Sequence, residues 1–123
     1  MKRKILFVIN PISGGKTKYN FPLKIDKYLD KSKFDSECVF TEYRGHGSLL
    51  AAEALRNGVD ILVAVGGDGT INEVASEVEG TNKFMGIIPF GSGNGLARSL
   101  GIPLGDIQAI KRINKFNHWL FEA

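Results

Sequence analysis

The chain has 123 residues, 43% of them hydrophobic, and fifteen glycines, about 12% against a usual share near 7%. That mixture excludes a disordered chain and a collagen-like repeat, and the length fits one domain burying roughly two-thirds of the surface its unfolded chain exposes. Sixteen Lys and Arg against thirteen Asp and Glu leave +3, a mild bias that suits phosphates or an acidic membrane surface and is too small to argue for nucleic acid.

The single cysteine, Cys38, cannot form an internal disulfide, so a cytoplasmic setting is expected. Lys2, Arg3 and Lys4 precede an apolar run from Ile5 to Ile9. That run is too short for a signal-peptide core, which needs about 7–15 residues, or for a membrane span of about 20. It reads as a first buried strand behind a solvated basic end.

Phe21, Ile25 and Leu29 follow at helical spacing, then a weaker strand from Glu37 to Thr41, on which Cys38 is expected to be buried. Leu50, Ala51, Ala54 and Leu55 mark a second helix and Gly58 its end. Ile61 to Val65 is a strand. Ile71, Val74, Ala75 and Val78 mark a third helix, ended by Gly80; Met85 to Ile88 is a further strand, and Ile107 to Ile113 a last helix with Lys111 and Arg112 on its surface. Continuous apolar strands imply cover on both faces. The predicted fold is therefore α/β, an open, mainly parallel, Rossmann-like sheet with helices on both faces, in a single domain over 1–123. Beyond Asn114 the pattern blurs.

Ligands of such sheets bind at the carboxyl ends of the strands. Three loops there are unusual: Asn10-Pro11-Ile12-Ser13-Gly14-Gly15-Lys16-Thr17, Gly66-Gly67-Asp68-Gly69-Thr70 and Gly91-Ser92-Gly93-Asn94-Gly95. Glycine lets backbone amides approach an anion, and a following helix adds its positive end, so all three could face one phosphate chain. The first loop nearly matches the ATPase phosphate loop, but Asn10 replaces its first glycine and Pro22 would fall inside its helix. Lys16 and Ser13 could still meet phosphate oxygens, or sit in a solvated turn. The second loop fails the dinucleotide fingerprint, because Asn72 replaces the third glycine. Asp68 has open readings: a Mg²⁺ ligand, a proton acceptor for a substrate hydroxyl, or an N-cap for a helix beginning near Ile71. His46 and His118 have no metal-ligand spacing and read as surface or packing residues; Arg98 could reach phosphate or pair with an acid.

Asn10-Pro11 with Ser13-Gly14, Gly66 to Thr70 followed by Asn72-Glu73, and Pro89 leading into Gly91 to Asn94 with Ala97-Arg98 together resemble the catalytic domain of the diacylglycerol kinase family, which includes bacterial lipid kinases and sphingosine kinases. The resemblance runs from about Lys4 to Ile113. It implies an N-terminal domain like that of NAD kinase and phosphofructokinase, with ATP contacts at Asn10, Pro11, Ile12, Ser13, Gly14, Thr41, Gly67, Asp68, Gly69, Thr70, Ile71, Asn72, Glu73 and Ser92; the phosphate-facing reading of the loops adds Lys16, Gly66, Gly93 and Asn94 as expected contacts. It implies Mg²⁺ as well, with ligands unassigned. In sphingosine kinases the aspartate matching Asp68 is a proposed catalytic base; in bacterial diacylglycerol kinases the base and metal ligands are attributed to a second, β-rich domain, which is expected to be absent from residues 1–123.

Gly95 departs from both subgroups, and the chain reaches Ala123 soon after His118, Trp119, Leu120 and Phe121, so those apolar residues read as a truncated element. The expected function is the ATP-binding domain of a lipid kinase acting on diacylglycerol or a sphingoid base, inactive as the isolated chain. Expected partners are a nucleotide, a lipid reached through the missing domain and a membrane touched transiently, with no nucleic acid; a homodimer is left open. The expected location is cytoplasmic and peripheral to the membrane. Two other readings stand beside it, an NAD kinase-like soluble-substrate kinase and a non-catalytic nucleotide-binding module.

Overall fold

The structure is a computed structural model that describes residues 2–13, 16–90, 105–115 and 121–122. Strand β1 (Arg3–Ile9) is buried from Ile5 onward. A short antiparallel hairpin follows, β2 (Ile12–Ser13) with β3 (Lys16–Thr17). Then come α1 (Phe21–Tyr28), β4 (Phe34–Phe40), α2 (His46–Arg56), β5 (Ile61–Gly66), α3 (Asp68–Val78), β6 (Phe84–Pro89), α4 (Asp106–Ile113) and β7 (Phe121–Glu122).

The main sheet has the order β4-β1-β5-β6-β7, with the first four strands parallel and β7 antiparallel against β6. After β1 the chain turns to one side to make β4, then crosses to the other side for β5. Where connections diverge in this way, a crevice opens beyond the strands' carboxyl ends. Here it lies between β1 and β5.

Alternate residues of the central strands feed two cores. Ile5, Phe7, Ile9, Ile61, Val63 and Val65 pack under α1 and α4 through Phe21, Ile25, Ala109, Ile110 and Ile113. Leu6, Val8, Leu62 and Ala64 pack under α2 and α3 through Ala51, Ala54, Ile71, Val74 and Val78. Both faces are thus covered, which is why the apolar runs of β1 and β5 are continuous. Polar contacts pin the helices: Lys24 of α1 pairs with Asp106 of α4. Asn114 joins the ends of those helices, its Nδ2 donating to the Tyr28 carbonyl and its Oδ1 accepting from the Asp30 amide, both at 2.7 Å. Gly58 and Gly80 follow α2 and α3 at φ 84° and 81°, the left-handed turns expected of them.

Four boundaries differ from expectation, each for a local reason. β4 starts at Phe34 rather than Glu37; it is an edge strand with one well-covered side, so exposed Asp35 and Glu37 dilute its apolar signal. α3 starts at Asp68 rather than near Ile71, since its first turn is built from glycine-loop residues that carry no apolar period. β7 forms where the pattern blurs. The loop after β1 becomes a hairpin, entered through a turn in which the Asn10 side-chain oxygen accepts from the Ile12 amide at 3.1 Å. Pro22 falls in the first turn of α1, where its missing N–H costs nothing, so no helix starts at Lys16 as an ATPase loop would require. Among the described residues no helix is long and apolar enough to cross a membrane.

Phe7 is fully buried, and Phe7→Ala is expected to lose about 3–5 kcal/mol, read as a lower urea midpoint at unchanged slope. Cys38 is half-buried rather than buried, and desolvation, reinforced by the carboxylates of Asp26 and Glu37, pushes its thiol up to about 11. Below that pH the reactive thiolate is scarce. At pH 8 iodoacetamide is expected to label Cys38 about a hundredfold more slowly in the folded chain than in urea, and the gap should close as pH approaches the folded value.

Candidate functional site

The parallel ladder runs one residue past the strands. The Thr41 amide donates to the Ile9 carbonyl at 2.8 Å, the Asn10 amide to Val65 at 2.9 Å and the Phe90 amide to Gly66 at 2.9 Å. Three loop entrances are therefore held side by side. Beyond them opens a groove of about 680 Å³, walled by Asn10, Pro11, Ile12 and Tyr19 on one side, by Phe40 to Arg44 on another and by Gly69, Thr70 and Glu73 on the third. A smaller groove, about 350 Å³, lies between β4 and α2 among Lys4, Leu6, Asp35 and Glu53, away from the strand ends.

The glycines of the second loop are not alike. A Cβ on Gly66 would lie 2.9 Å from Thr70 Oγ1, 3.1 Å from Thr70 Cβ and 3.2 Å from Asn10 Cβ, so the fold itself excludes a side chain there. Gly67 has an ordinary φ of −93°, and its Cβ would meet only the Phe90 carbonyl at 3.7 Å. A Cβ on Gly69 would meet nothing within 4 Å, although glycine inside a helix costs about 1 kcal/mol relative to alanine. Neither packing nor backbone geometry asks for glycine at 67 or 69. Both sit where the unpaired first-turn amides of α3 face outward at the positive end of the helix.

Asp68 is the first helical residue and makes no side-chain capping bond; the N-cap position belongs to Gly67. The capping reading of Asp68 is therefore corrected. Its carboxylate is exposed at the groove end of the helix, where the dipole favours a negative charge. Thr70 is buried and packs over Gly66. Ile71 is committed twice, its side chain to the core and its amide to the Gly67 carbonyl at 3.1 Å. Asn72 is exposed. Glu73 spends both carboxylate oxygens on the start of α2, accepting from the Gly45 amide at 3.0 Å and the Gly47 amide at 2.9 Å.

The wall after β4 carries residues that sequence reasoning passed over. Tyr43, 56% exposed, lies nearly parallel to His46 with ring centroids 4.4 Å apart, and His46 Nδ1 accepts from the Glu42 amide at 2.9 Å. His46 is thus a packing residue, as expected. Across the groove Tyr19, 59% exposed, leans on Phe40 at 5.2 Å. Adjacency to Thr41 was the one signal for Tyr43; nothing in the sequence pointed to Tyr19.

The structure brings together Asn10, Pro11, Ile12, Thr41, Gly69, Thr70 and Glu73 around one groove, with Gly66, Gly67 and Asp68 at its end. Ser13 and Lys16 are paired on the hairpin. Gly14, Ser92, Gly93, Asn94, Arg98 and His118 lie outside the described residues. Among the described residues no three of His, Cys, Asp and Glu converge as a metal site. The donor set suits a cation that takes most of its ligands from elsewhere: a single exposed carboxylate, Asp68, is what Mg²⁺ commonly uses when a nucleotide's phosphates and water complete its shell.

A reversing parallel sheet with a groove at the reversal defines the class, an open α/β domain of the kind whose ligands bind at the strands' carboxyl ends. Within that class the chain belongs to the diacylglycerol kinase catalytic domain family, whose model matches residues 4–118. It is 36% identical over 113 residues to a diacylglycerol kinase of Staphylococcus saprophyticus, covering 89% of this chain and 37% of that protein. It is likewise 36% identical over 106 residues to one from Staphylococcus aureus, covering 84% of this chain and 33% of the relative. The crystal structure of a diacylglycerol kinase from Bacillus anthracis superposes with a TM-score of 0.79 at 29% identity, covering 92% of this chain and 40% of that one. The chain thus spans little more than a third of the relatives it matches.

The glycines give a paired expectation for stability. In urea unfolding, Gly66→Ala should lose about 1–3 kcal/mol through overpacking, whereas Gly69→Ala should lose nothing and gain up to about 1 kcal/mol of helix propensity.

Proposed function

We propose that this chain is the ATP-binding part of a lipid kinase that transfers the γ-phosphoryl of ATP to a lipid hydroxyl, on diacylglycerol or a sphingoid base. The observation that carries the reading is the pair Gly67 and Gly69, kept free of side chains at the start of α3 where the fold has no use for glycine. Close approach of a phosphate to backbone amides is a reason for both.

In this reading the first-turn amides of α3 hold the phosphate tail, Asn10 and its neighbours Pro11 and Ile12 close it from the β1 side, and Thr41 borders the remainder of the nucleotide. Ser13, Gly14 and Lys16 on the hairpin, and Ser92, Gly93 and Asn94 on the third loop, belong to the same proposed site. Phosphoryl transfer depends on positioning and on neutralising charge over the phosphate oxygens, the latter being what Mg²⁺ supplies when bound. Asp68 would hold that ion or take the proton from the attacking hydroxyl as ADP departs. The lipid pocket is assigned to sequence that the longer relatives carry outside the matched region. Its substrate would bring the protein transiently to a membrane.

Isothermal titration of the chain with MgATP is expected to show saturable binding, and Gly67→Asp, which sets a carboxylate against the phosphates, should weaken it at least tenfold, about 1.4 kcal/mol. Undiminished affinity in Gly67→Asp would falsify the assigned phosphate site. No steady turnover of lipid is expected from the 123-residue chain alone.

A further inference from the structure

Helix α2 begins without a side-chain cap. Its N-cap is Gly45, in the left-handed region at φ 93°; the His46 amide donates to the Tyr43 carbonyl at 3.1 Å and the Ser48 amide to the Gly45 carbonyl at 3.2 Å, which leaves the Gly45 and Gly47 amides to be met from outside the helix. The missing cap is supplied from another helix. Glu73, one turn into α3, accepts from the Gly45 amide at 3.0 Å and from the Gly47 amide at 2.9 Å, one carboxylate oxygen to each. Ser48 Oγ then donates to the Glu73 carbonyl at 3.2 Å, closing the contact from the same turn of α2. Gly47 is buried, and a Cβ there would stand 2.6 Å from Glu73 Oε1, so the bond needs glycine as its donor.

This link joins two walls of one groove. On its α3 side, four and six residues before Glu73, lie Gly69 and Gly67; on its α2 side, immediately before Gly45, lie Tyr43 and Arg44. Tyr43 is held flat on His46, the first residue of α2, so the height at which α2 starts sets where that ring faces the groove. Charge-assisted bonds from a carboxylate to two amides are among the stronger polar contacts available, and both ends here sit on helices anchored in the same core.

We propose that Glu73 is a positioning residue. Its carboxylate fixes the Thr41–Arg44 wall, with the Tyr43–His46 stack, at a set distance from the phosphate-facing turn of α3, and it makes no contact with the nucleotide itself. The inference rests on the nucleotide reading above and assigns the residue a role different from direct binding. Glu73→Gln keeps the size but offers one acceptor and an NH₂ that opposes the second amide. Gly47→Ala leaves Glu73 intact and displaces its carboxylate.

The test titrates the chain and both variants with MgATP and, separately, with magnesium tripolyphosphate, which carries the phosphate tail without nucleoside, while amide exchange at Gly45 and Gly47 is followed by NMR. Expected in both variants are exchange at least tenfold faster at those amides, ATP affinity down about tenfold, and tripolyphosphate affinity within twofold of the parent chain. Equal loss for both ligands would make Glu73 a direct phosphate contact or a general stabiliser and overturn the proposal. So would faster exchange with unchanged ATP affinity. If the unsubstituted chain binds neither ligand, the nucleotide reading fails and takes the proposal with it, an outcome visible before any variant is examined. Should Glu73→Gln not fold, Gly47→Ala decides alone by the same three readouts.

Discussion

The whole site depends on how abruptly β5 becomes α3. Gly66 is the last strand residue, Asp68 the first helical one, and a single residue turns the chain between them. That turn is possible because Gly66 has no side chain: Asn10, just after β1, and Thr70 from α3 both press into the space a Cβ would take. The close approach places the start of α3, the positive end of its dipole, at the strands' carboxyl ends where the crevice opens. Burial of β1 and β5 on both faces fixes their register, which is why Asn10 arrives at that place and no other.

From this junction the chemistry divides. Glycines 67 and 69 leave the start of α3 bare, giving an anion an approach of backbone amides and helix dipole together. Two aromatic pairs flank the rest of the groove, Tyr43 stacked on His46 on one side and Tyr19 leaning on Phe40 from another. In the proposed reading the dipole end of the groove takes a phosphate tail and the exposed rings of Tyr19 and Tyr43 lie along the body of the nucleotide, among polar neighbours such as Thr41, Glu42 and Arg44. Membership of the diacylglycerol kinase catalytic domain family agrees with that reading. The bonds from Glu73 to the start of α2 tie together two walls built by different helices.

Legibility followed burial. β1 and β5, covered on both sides, announced themselves as unbroken apolar runs, and the helices that cover them as 3.6-residue stripes. β4 was blurred because it is an edge, and the first turn of α3 because Asp68, Gly69 and Thr70 carry no period to read. Asp68 looked like a cap from its residue type; only the coordinates showed that the capping position had passed to Gly67. Ile71 fell within the segment that the family resemblance assigns to ATP; its side chain is in the core.

Residue order alone determined the α/β alternation, the glycine-rich places at strand ends and the family, since those follow from local periodicity and from short motifs whose spacing survives without coordinates. Which glycines serve the fold and which are left over, that Glu73 reaches across to α2, and that Tyr19 shares a groove with Tyr43 were decided by tertiary structure. Those facts join residues 24 to 28 positions apart, or compare a glycine with what surrounds it. Nothing local encodes such distances; they exist only once both faces of the sheet have been packed.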